Sequence, residues 1–295
     1  MRPVMAWLLL ALLGLATIFA WLTRPHSLRP EDLPAHTPSP ANGAIVFHAG
    51  GCASCHGERL EGGLELKTAY GVFVVPNISP HPTGGIGGWS TLDFADAMVR
   101  GVAPDGSHYY PAFPWSSYAR MDLRDVIDLK AWIDTFEPVG GPAGPHELKF
   151  PWNIRRGVGL WKRLYLDPGP VIGVDPADAA LNRGRYLVEG PGHCGECHTP
   201  RDRFGGMDTS RWLGGAPSPD GEGRVPNITP GAAELGSWSV RDIAYYLESG
   251  FTPDFDTVGG SMVKVQENMA RLPAADREAI ARYLKAVPAV AAGGD

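Results

Sequence analysis

The sequence predicts an all-α protein in which one amino-terminal apolar helix is followed by two tandem helical domains. Three observations lead there. Residues 4–22 carry no charge and are bounded by Arg2 and Arg24. The run Val75-Pro76-Asn77-Ile78-Ser79-Pro80 returns as Val225-Pro226-Asn227-Ile228-Thr229-Pro230, so the rest of the chain is internally repeated. Within each copy, apolar residues recur at helical spacing between capping residues, and no strand has comparable support. A chain of 295 residues, 44 % apolar and 20 % charged, is long enough to bury two such cores. Its 38 glycines and 28 prolines require long ordered connections between helices. Twenty-six basic against 32 acidic side chains, a net charge of −6, supply no basic surface for phosphates, which argues against a nucleic-acid partner.

At about 1.5 Å per residue, the stretch from Val4 to Leu22 nearly matches a bilayer core of about 30 Å. An uncleaved anchor over residues 1–24 is favoured over a signal peptide, whose apolar stretch is normally about 7 to 15 residues with an Ala-x-Ala-like site. Only Ile18-Phe19-Ala20 offers such a site, and poorly. Residues 25–40, with five prolines, read as a stiff spacer holding the soluble part off the membrane. The first domain is expected over 41–138, a linker over 139–175 and the second domain over 176–290. Each domain has a first helix with Ile45, Val46 and Phe47, or Tyr186, Leu187 and Val188. A middle helix begins at the capping box Ser90/Asp93, or Ser239/Asp242, and stops at Gly101 or Gly250. The last helix runs from about Asp122 to Phe136, and from about Pro273 to Val287.

All four cysteines fall in two clusters, Cys52-Ala-Ser-Cys55-His56 and Cys194-Gly-Glu-Cys197-His198, 142 residues apart. Two bare Cys-x-x-Cys pairs would suggest zinc or a redox dithiol. The histidine after each pair makes the attachment sequence of c-type haem, and two copies predict two covalently bound haem c groups. Cys52, Cys55, Cys194 and Cys197 would form the thioethers, and His56 and His198 the proximal iron bonds. The sixth ligand is sought between the middle and last helices, where a methionine thioether favours a high potential and electron transfer without substrate chemistry. Met121 is the candidate in the first domain, with His108 as the alternative; Met98 falls inside the middle helix and reads as core. In the second, Met262 after Gly259-Gly260-Ser261 is preferred to Met269.

The repeated Pro-Asn-Ile-Ser/Thr-Pro runs, the Gly-rich run from Gly84 to Ser90, Tyr109-Tyr110-Pro111-Ala112-Phe113-Pro114 and Ser117-Tyr118-Ala119-Arg120-Met121 carry a family likeness. They resemble the membrane-anchored cytochrome c subunits of bacterial periplasmic dehydrogenases that oxidise alcohols, gluconate, fructose, nicotinate or aldehydes, over roughly residues 40 to 290. The best-known members carry three haem motifs and a carboxy-terminal membrane segment. This chain has two motifs and an amino-terminal apolar helix, so it is similar to a shorter di-haem branch. The resemblance implies two class I cytochrome c domains in the periplasm, held to the inner membrane by a single span. It also implies electron transfer from a dehydrogenase catalytic subunit to a quinone, a cytochrome or a terminal oxidase. A di-haem peroxidase is the first alternative, but the Arg-Thr-Pro and Leu-Arg-Asn runs expected of that family are absent. A haem-copper oxidase subunit is the second, with motifs usually closer together.

Trp89 and Trp238, at matched positions, are candidates to donate an indole hydrogen bond to a haem propionate, or else core anchors. Asn77 and Asn227 are candidates to turn the backbone over the haem edge, or else surface turns. The stretch from Phe150 to Tyr165 mixes apolar and basic residues. Packing across both haem pockets, pairing Arg155 or Arg156 with propionates, and lying on a membrane or partner surface are all open to it. No Ser/His/Asp cluster, carboxylate pair or phosphate loop points to catalysis by the chain itself.

Overall fold

In the computed structural model, which describes residues 2–141, 144–218 and 223–291, the chain is mostly helical. The apolar run forms α1 (Arg2–Leu22), in which Pro3–Leu22 is long and apolar enough to cross a membrane and is not buried against the rest of the chain. A membrane anchor and a signal sequence share that length and composition.

The chain after α1 does not form the free spacer expected over residues 25–40. Leu28 is buried in an apolar cluster, and its amide donates to Asp96 Oδ1 at 2.6 Å. His36 Nε2 and the Ser39 amide both reach Asp128 Oδ1, at 2.7 and 2.6 Å. Proline keeps the segment extended. The two carboxylates, both largely buried, then supply acceptors for its N–H groups, so the segment lies on the protein instead of standing off it.

Two helix crossings organise the remainder. Helix α2 (Pro40–Ala49) crosses α6 (Leu123–Ile133), and α8 (Ala179–Glu189) crosses α13 (Ala274–Ala286). Each first helix carries a glycine at the crossing: a Cβ on Gly43 would stand 2.0 Å from the Asp128 carbonyl oxygen, and one on Gly184 1.9 Å from that of Ala279. Only a residue without a side chain lets the two backbones approach so closely. The middle helices α4 (Thr91–Arg100) and α11 (Val240–Ser249) start at the two expected capping boxes and end at Gly101 and Gly250 in the left-handed conformation. One apolar cluster gathers Phe47, Leu60, Phe94 and Leu129; the other gathers Leu187, Trp212, Ile243 and Tyr283.

Short strands qualify the all-helical expectation. An antiparallel sheet of β1 (Glu65–Thr68), β2 (Gly71–Val74) and β3 (Glu147–Leu148) lies in the first half, and the ribbon β4 (Ala216–Pro217) with β5 (Arg224–Val225) in the second. At four residues β2 is too short to register a period in the sequence, yet its burial alternates, and Phe73 packs edge-on to Tyr110 and His146. Through β3 the start of the expected linker belongs to the first half.

Helix α7 (Val158–Tyr165), between the halves, seats the end of α1. Arg156 Nε and Nη2 donate to Thr23 Oγ1 and the Ala20 carbonyl at 2.9 and 2.8 Å, and Arg163 Nε donates to the Leu22 carbonyl at 2.6 Å. His108 Nε2 donates to the Thr23 carbonyl at 2.8 Å. The carbonyls that a helix terminus leaves unpaired are thus taken by basic side chains.

The crossing makes a prediction with a definite sign. Alanine in place of a free helical glycine stabilises by about 1 kcal/mol. At Gly184 the overpacking should dominate, so Gly184→Ala should lower stability by about 1 to 3 kcal/mol, read from a shifted denaturant midpoint. A variant more stable than wild type would contradict the close approach of α8 and α13.

Candidate functional site

The two Cys-x-x-Cys-His sequences form single helical turns at the ends of the two first helices. Cys52 to His56 is α3 (Cys52–His56), entered through left-handed Gly51; the second is α9 (Gly195–His198), with Cys194 at its cap. All four thiols are free, Cys52 and Cys194 partly buried and Cys55 and Cys197 exposed. Burial pushes the Cys52 and Cys194 thiols up to about 12, which keeps them protonated in the bare polypeptide. Among the described residues, no three or more of His, Cys, Asp and Glu group to hold a metal ion.

One device sets both histidines. His56 Nδ1 lies 2.8 Å from the Pro76 carbonyl oxygen, and His198 Nδ1 lies 2.8 Å from that of Pro226. A carbonyl only accepts, so Nδ1 carries the proton and Nε2 keeps a lone pair. Burial pulls the His56 imidazole down to about 4 and lowers that of His198, so both rings are neutral near pH 7. A neutral imidazole with its outer nitrogen oriented by a backbone carbonyl is the form that binds iron. Paired free thiols next to such a ring, in both halves, fit covalent haem c.

Asn77 and Asn227 hold the proline carbonyls in place. Asn77 Nδ2 donates to the Val139 and Gly141 carbonyls at 2.8 and 3.0 Å, while its Oδ1 accepts from the Ser79 amide at 2.8 Å. Asn227 Nδ2 donates to the Val290 carbonyl at 2.8 Å, and its Oδ1 accepts from the Thr229 amide and hydroxyl, both at 2.8 Å. Each asparagine therefore ties the Pro-Asn-Ile turn to the chain leaving the last helix. Trp89 and Trp238 pack against the edges of the two apolar clusters, and neither indole nitrogen makes a hydrogen bond to the described residues.

Met121 is buried in the first cluster, against which Cys52 and Ala53 pack. It directly precedes Asp122, the cap of α6. Its alternative, His108, is engaged at the end of α1. In the second half, Met262 opens α12 (Met262–Met269) and packs, like Cys194, at the edge of the cluster, whereas Met269 is buried inside it. Of the unassigned histidines, His81 and His146 accept backbone amides through Nδ1, at 3.0 and 3.1 Å.

The two halves meet at and just before these turns, which the sequence did not reveal. His193 Nε2 donates to the Gly50 carbonyl at 3.2 Å, and its ring meets Tyr118 edge-on with centroids 5.6 Å apart. Ser116 and Ser117, on α5 (Trp115–Tyr118), donate to Glu196 Oε1 at 2.9 and 2.7 Å, and Glu196 also pairs with Arg201. Asn268 Nδ2 donates to Ser54 Oγ at 3.1 Å, and Asn268 Oδ1 lies 3.3 Å from His48 Nδ1. Pro76 and Pro226 were also missed as functional residues, although the repeated Pro-Asn-Ile run was itself the signal. It drew attention to the asparagine side chain instead of the proline carbonyl.

These turns and helix crossings define a c-type cytochrome. A family profile described as "Cytochrome c" matches residues 40–137. A "Diheme cytochrome c-type" protein of Cereibacter sphaeroides is 51 % identical over 279 residues, 92 % of this chain and 93 % of the relative. The "Fructose dehydrogenase cytochrome subunit" of Gluconobacter japonicus is 37 % identical over 92 % of this chain and 57 % of its own length. The "Gluconate 2-dehydrogenase cytochrome c subunit" of Pantoea cypripedii is 34 % identical, with coverages of 84 % and 59 %. The chain belongs to this family of di-haem cytochromes c and dehydrogenase cytochrome c subunits, electron-transfer proteins with covalently attached haem c. It spans somewhat more than half the length of these two dehydrogenase subunits.

Asn227→Ala deletes three hydrogen bonds and strands the Val290 carbonyl. A loss of about 1 to 3 kcal/mol in stability is expected, measured by denaturant titration of the purified protein. A denaturation midpoint equal to wild type would remove Asn227 from the set of residues that hold the Pro226 carbonyl.

Proposed function

We propose that the chain is a two-haem electron relay built of two tandem class I cytochrome c domains, residues 41–138 and 176–290. It accepts electrons from the catalytic subunit of a periplasmic dehydrogenase and passes them to a quinone, another cytochrome or a terminal oxidase. The observation that carries this reading is that each Cys-x-x-Cys-His turn is bonded to the other half of the chain, Ser54 to Asn268 and Glu196 to Ser116 and Ser117, while His193, just before the second turn, reaches Gly50, just before the first. Two haems attached to turns joined in this way would be neighbours within one chain, placed to exchange electrons. Reversible one-electron cycling of the iron is what the bound haem supplies.

The chain's own residues fix where that cycling happens. Cys52 with Cys55, and Cys194 with Cys197, would each hold one haem through thioethers. His56 and His198 would offer Nε2 to its iron. Met121 and Met262 would supply the sixth ligands in this reading: Met121 lies in the cluster against which Cys52 packs and Met262 packs, like Cys194, against the other, while His108 Nε2 is engaged on Thr23; Met269, also a buried cluster residue, is the alternative to Met262. Trp89 and Trp238 keep free indole N–H groups for propionates. Were both methionines to bind, neither iron would keep an open position for peroxide, which weighs against the peroxidase alternative. Helix α1 is taken as an uncleaved anchor in the inner membrane, which leaves the rest of the chain in the periplasm. The names of the relatives support the dehydrogenase partner.

Three measurements test the reading. Replacing both Cys194 and Cys197 with Ala should leave one covalent haem, so that haem staining on a denaturing gel falls to about half; full staining would contradict separate sites. Met121→Ala should lower one reduction potential by on the order of 0.1 V, a fraction of the about 0.8 V range that axial ligands span. Loss of a ligand in His108→Ala with Met121→Ala unchanged would reverse that assignment. The intact protein should exchange electrons with a redox partner and show no turnover with hydrogen peroxide. Sustained peroxidase activity with one five-coordinate iron would favour the alternative.

A further inference from the structure

The segment from Phe150 to Tyr165 is left without a role by the electron relay, yet the structure decides where it sits. Arg156 and Arg163 bond directly to the last carbonyls of α1. The Trp21 ring, at that same end, has the Arg163 guanidinium 5.5 Å and the Arg24 guanidinium 6.0 Å from its centroid. An exposed tryptophan flanked by arginines at the end of an apolar span marks the level of the lipid headgroups. Helix α7 is bonded to that level.

Its two faces differ. Gly159 is pressed against Thr23, and Lys162 Nζ donates to the Arg100 and Gly101 carbonyls at 2.6 and 2.8 Å, which fixes the inner face. Leu160 and Leu164, one turn apart, face outward, with Leu164 75 % exposed; before the helix, Phe150 and Ile154 are 79 % and 48 % exposed. Isolated exposed apolar residues occur elsewhere, as at Phe255, but here four lie within fifteen residues of one segment bonded to the end of α1, and a patch of that kind marks an interaction surface. The charge gives its sign: residues 148–166 hold Lys149, Arg155, Arg156, Lys162 and Arg163 and no acid, in a chain of net charge −6. Exposed leucines interleaved with arginines, beside the end of a membrane helix, suit the boundary between phosphates and acyl chains.

We propose that residues 150–164, centred on α7, form a membrane-surface segment in which the guanidinium N–H groups of Arg155, Arg156 and Arg163 not already bonded to the protein bind lipid phosphates while Ile154, Leu160 and Leu164 enter the headgroup boundary. The anchor would then be a joint and not a tether, holding both Cys-x-x-Cys-His turns at a fixed height and tilt over the bilayer. This inference rests on α1 being retained as the anchor.

The test uses the full-length holoprotein in nanodiscs of phosphatidylcholine and phosphatidylglycerol. All four native cysteines lie in the haem-attachment turns, so Leu164→Cys, Ile154→Cys or a control Phe255→Cys supplies one thiol for a fluorescent maleimide; Phe255 is 86 % exposed in the second half. Each signal is referred to the same variant in unbrominated discs, which cancels quenching by haem. Lipid brominated near the headgroup should quench the Leu164 and Ile154 labels about twofold or more above the control, and neutral acrylamide should quench them correspondingly less. Labels at 154 and 164 as open to acrylamide as the control would overturn the proposal. So would labels shielded only after a dehydrogenase catalytic subunit is added, which would make the face a protein interface. Intact mass separates the two readings. A chain lacking the amino-terminal helix overturns the anchor, and the inference with it; a full-length chain with acrylamide-open labels overturns the inference alone.

Discussion

Each motif histidine gives its Nδ1 proton to a proline carbonyl, Pro76 for His56 and Pro226 for His198, and the rest of each half is arranged to keep that carbonyl still. The carbonyl belongs to a turn pinned by Asn77 or Asn227 to the chain that follows the last helix. That last helix crosses the first at Gly43 or Gly184, and the first helix leads into the cysteine turn. The path closes on itself: first helix, Cys turn, histidine, proline carbonyl, asparagine, last helix, first helix. One hydrogen bond contributes only about 1 kcal/mol net. A closed path of this kind nevertheless orients both imidazoles, because any one link moves only if the others move with it. It also removes the need for a carboxylate beside the ring, so each histidine stays a neutral imidazole, the form a metal would need, in a partly apolar setting.

The same economy joins the halves to each other and to α1. Ser116, Ser117 and Tyr118 belong to the short helix before Met121, and they reach Glu196 and His193 in and beside the second motif. The wall of one candidate site is therefore also the contact with the other. At the opposite end, Arg156, Arg163 and His108 close off α1, and Leu28 draws the following segment into the core. A relay of this construction has few independently moving parts, which suits exchange of electrons at fixed separation.

Much of this plan can be read from the sequence because its signals are local. The capping boxes at Ser90 and Ser239, the stops at Gly101 and Gly250 and the Cys-x-x-Cys-His spacing each lie within a dozen residues. What could not be read depends on contacts between distant positions. His36 meets Asp128 across 92 residues, so a proline-rich stretch with no periodicity gave no sign of lying on the protein. The pairing of β2 with β3 joins residues more than 70 apart, and the Phe150 to Tyr165 stretch has a composition that suits several surfaces until Arg163 is seen on Leu22. The asparagines were legible as repeated turn residues, but their partners, Val139 and Val290, lie beyond the last helices, where the sequence holds no marker.

Electron paramagnetic resonance of the fully oxidised full-length protein tests the central claim most directly, since two low-spin ferric haems attached to turns that are each bonded to the other half would feel each other's magnetic moment. The account predicts two six-coordinate species of equal intensity, each relaxing faster than the single species left when Cys194 and Cys197 are both replaced by alanine. Two signals that relax as they would alone, or one iron in a high-spin five-coordinate form, would contradict a relay built on paired and adjacent sites.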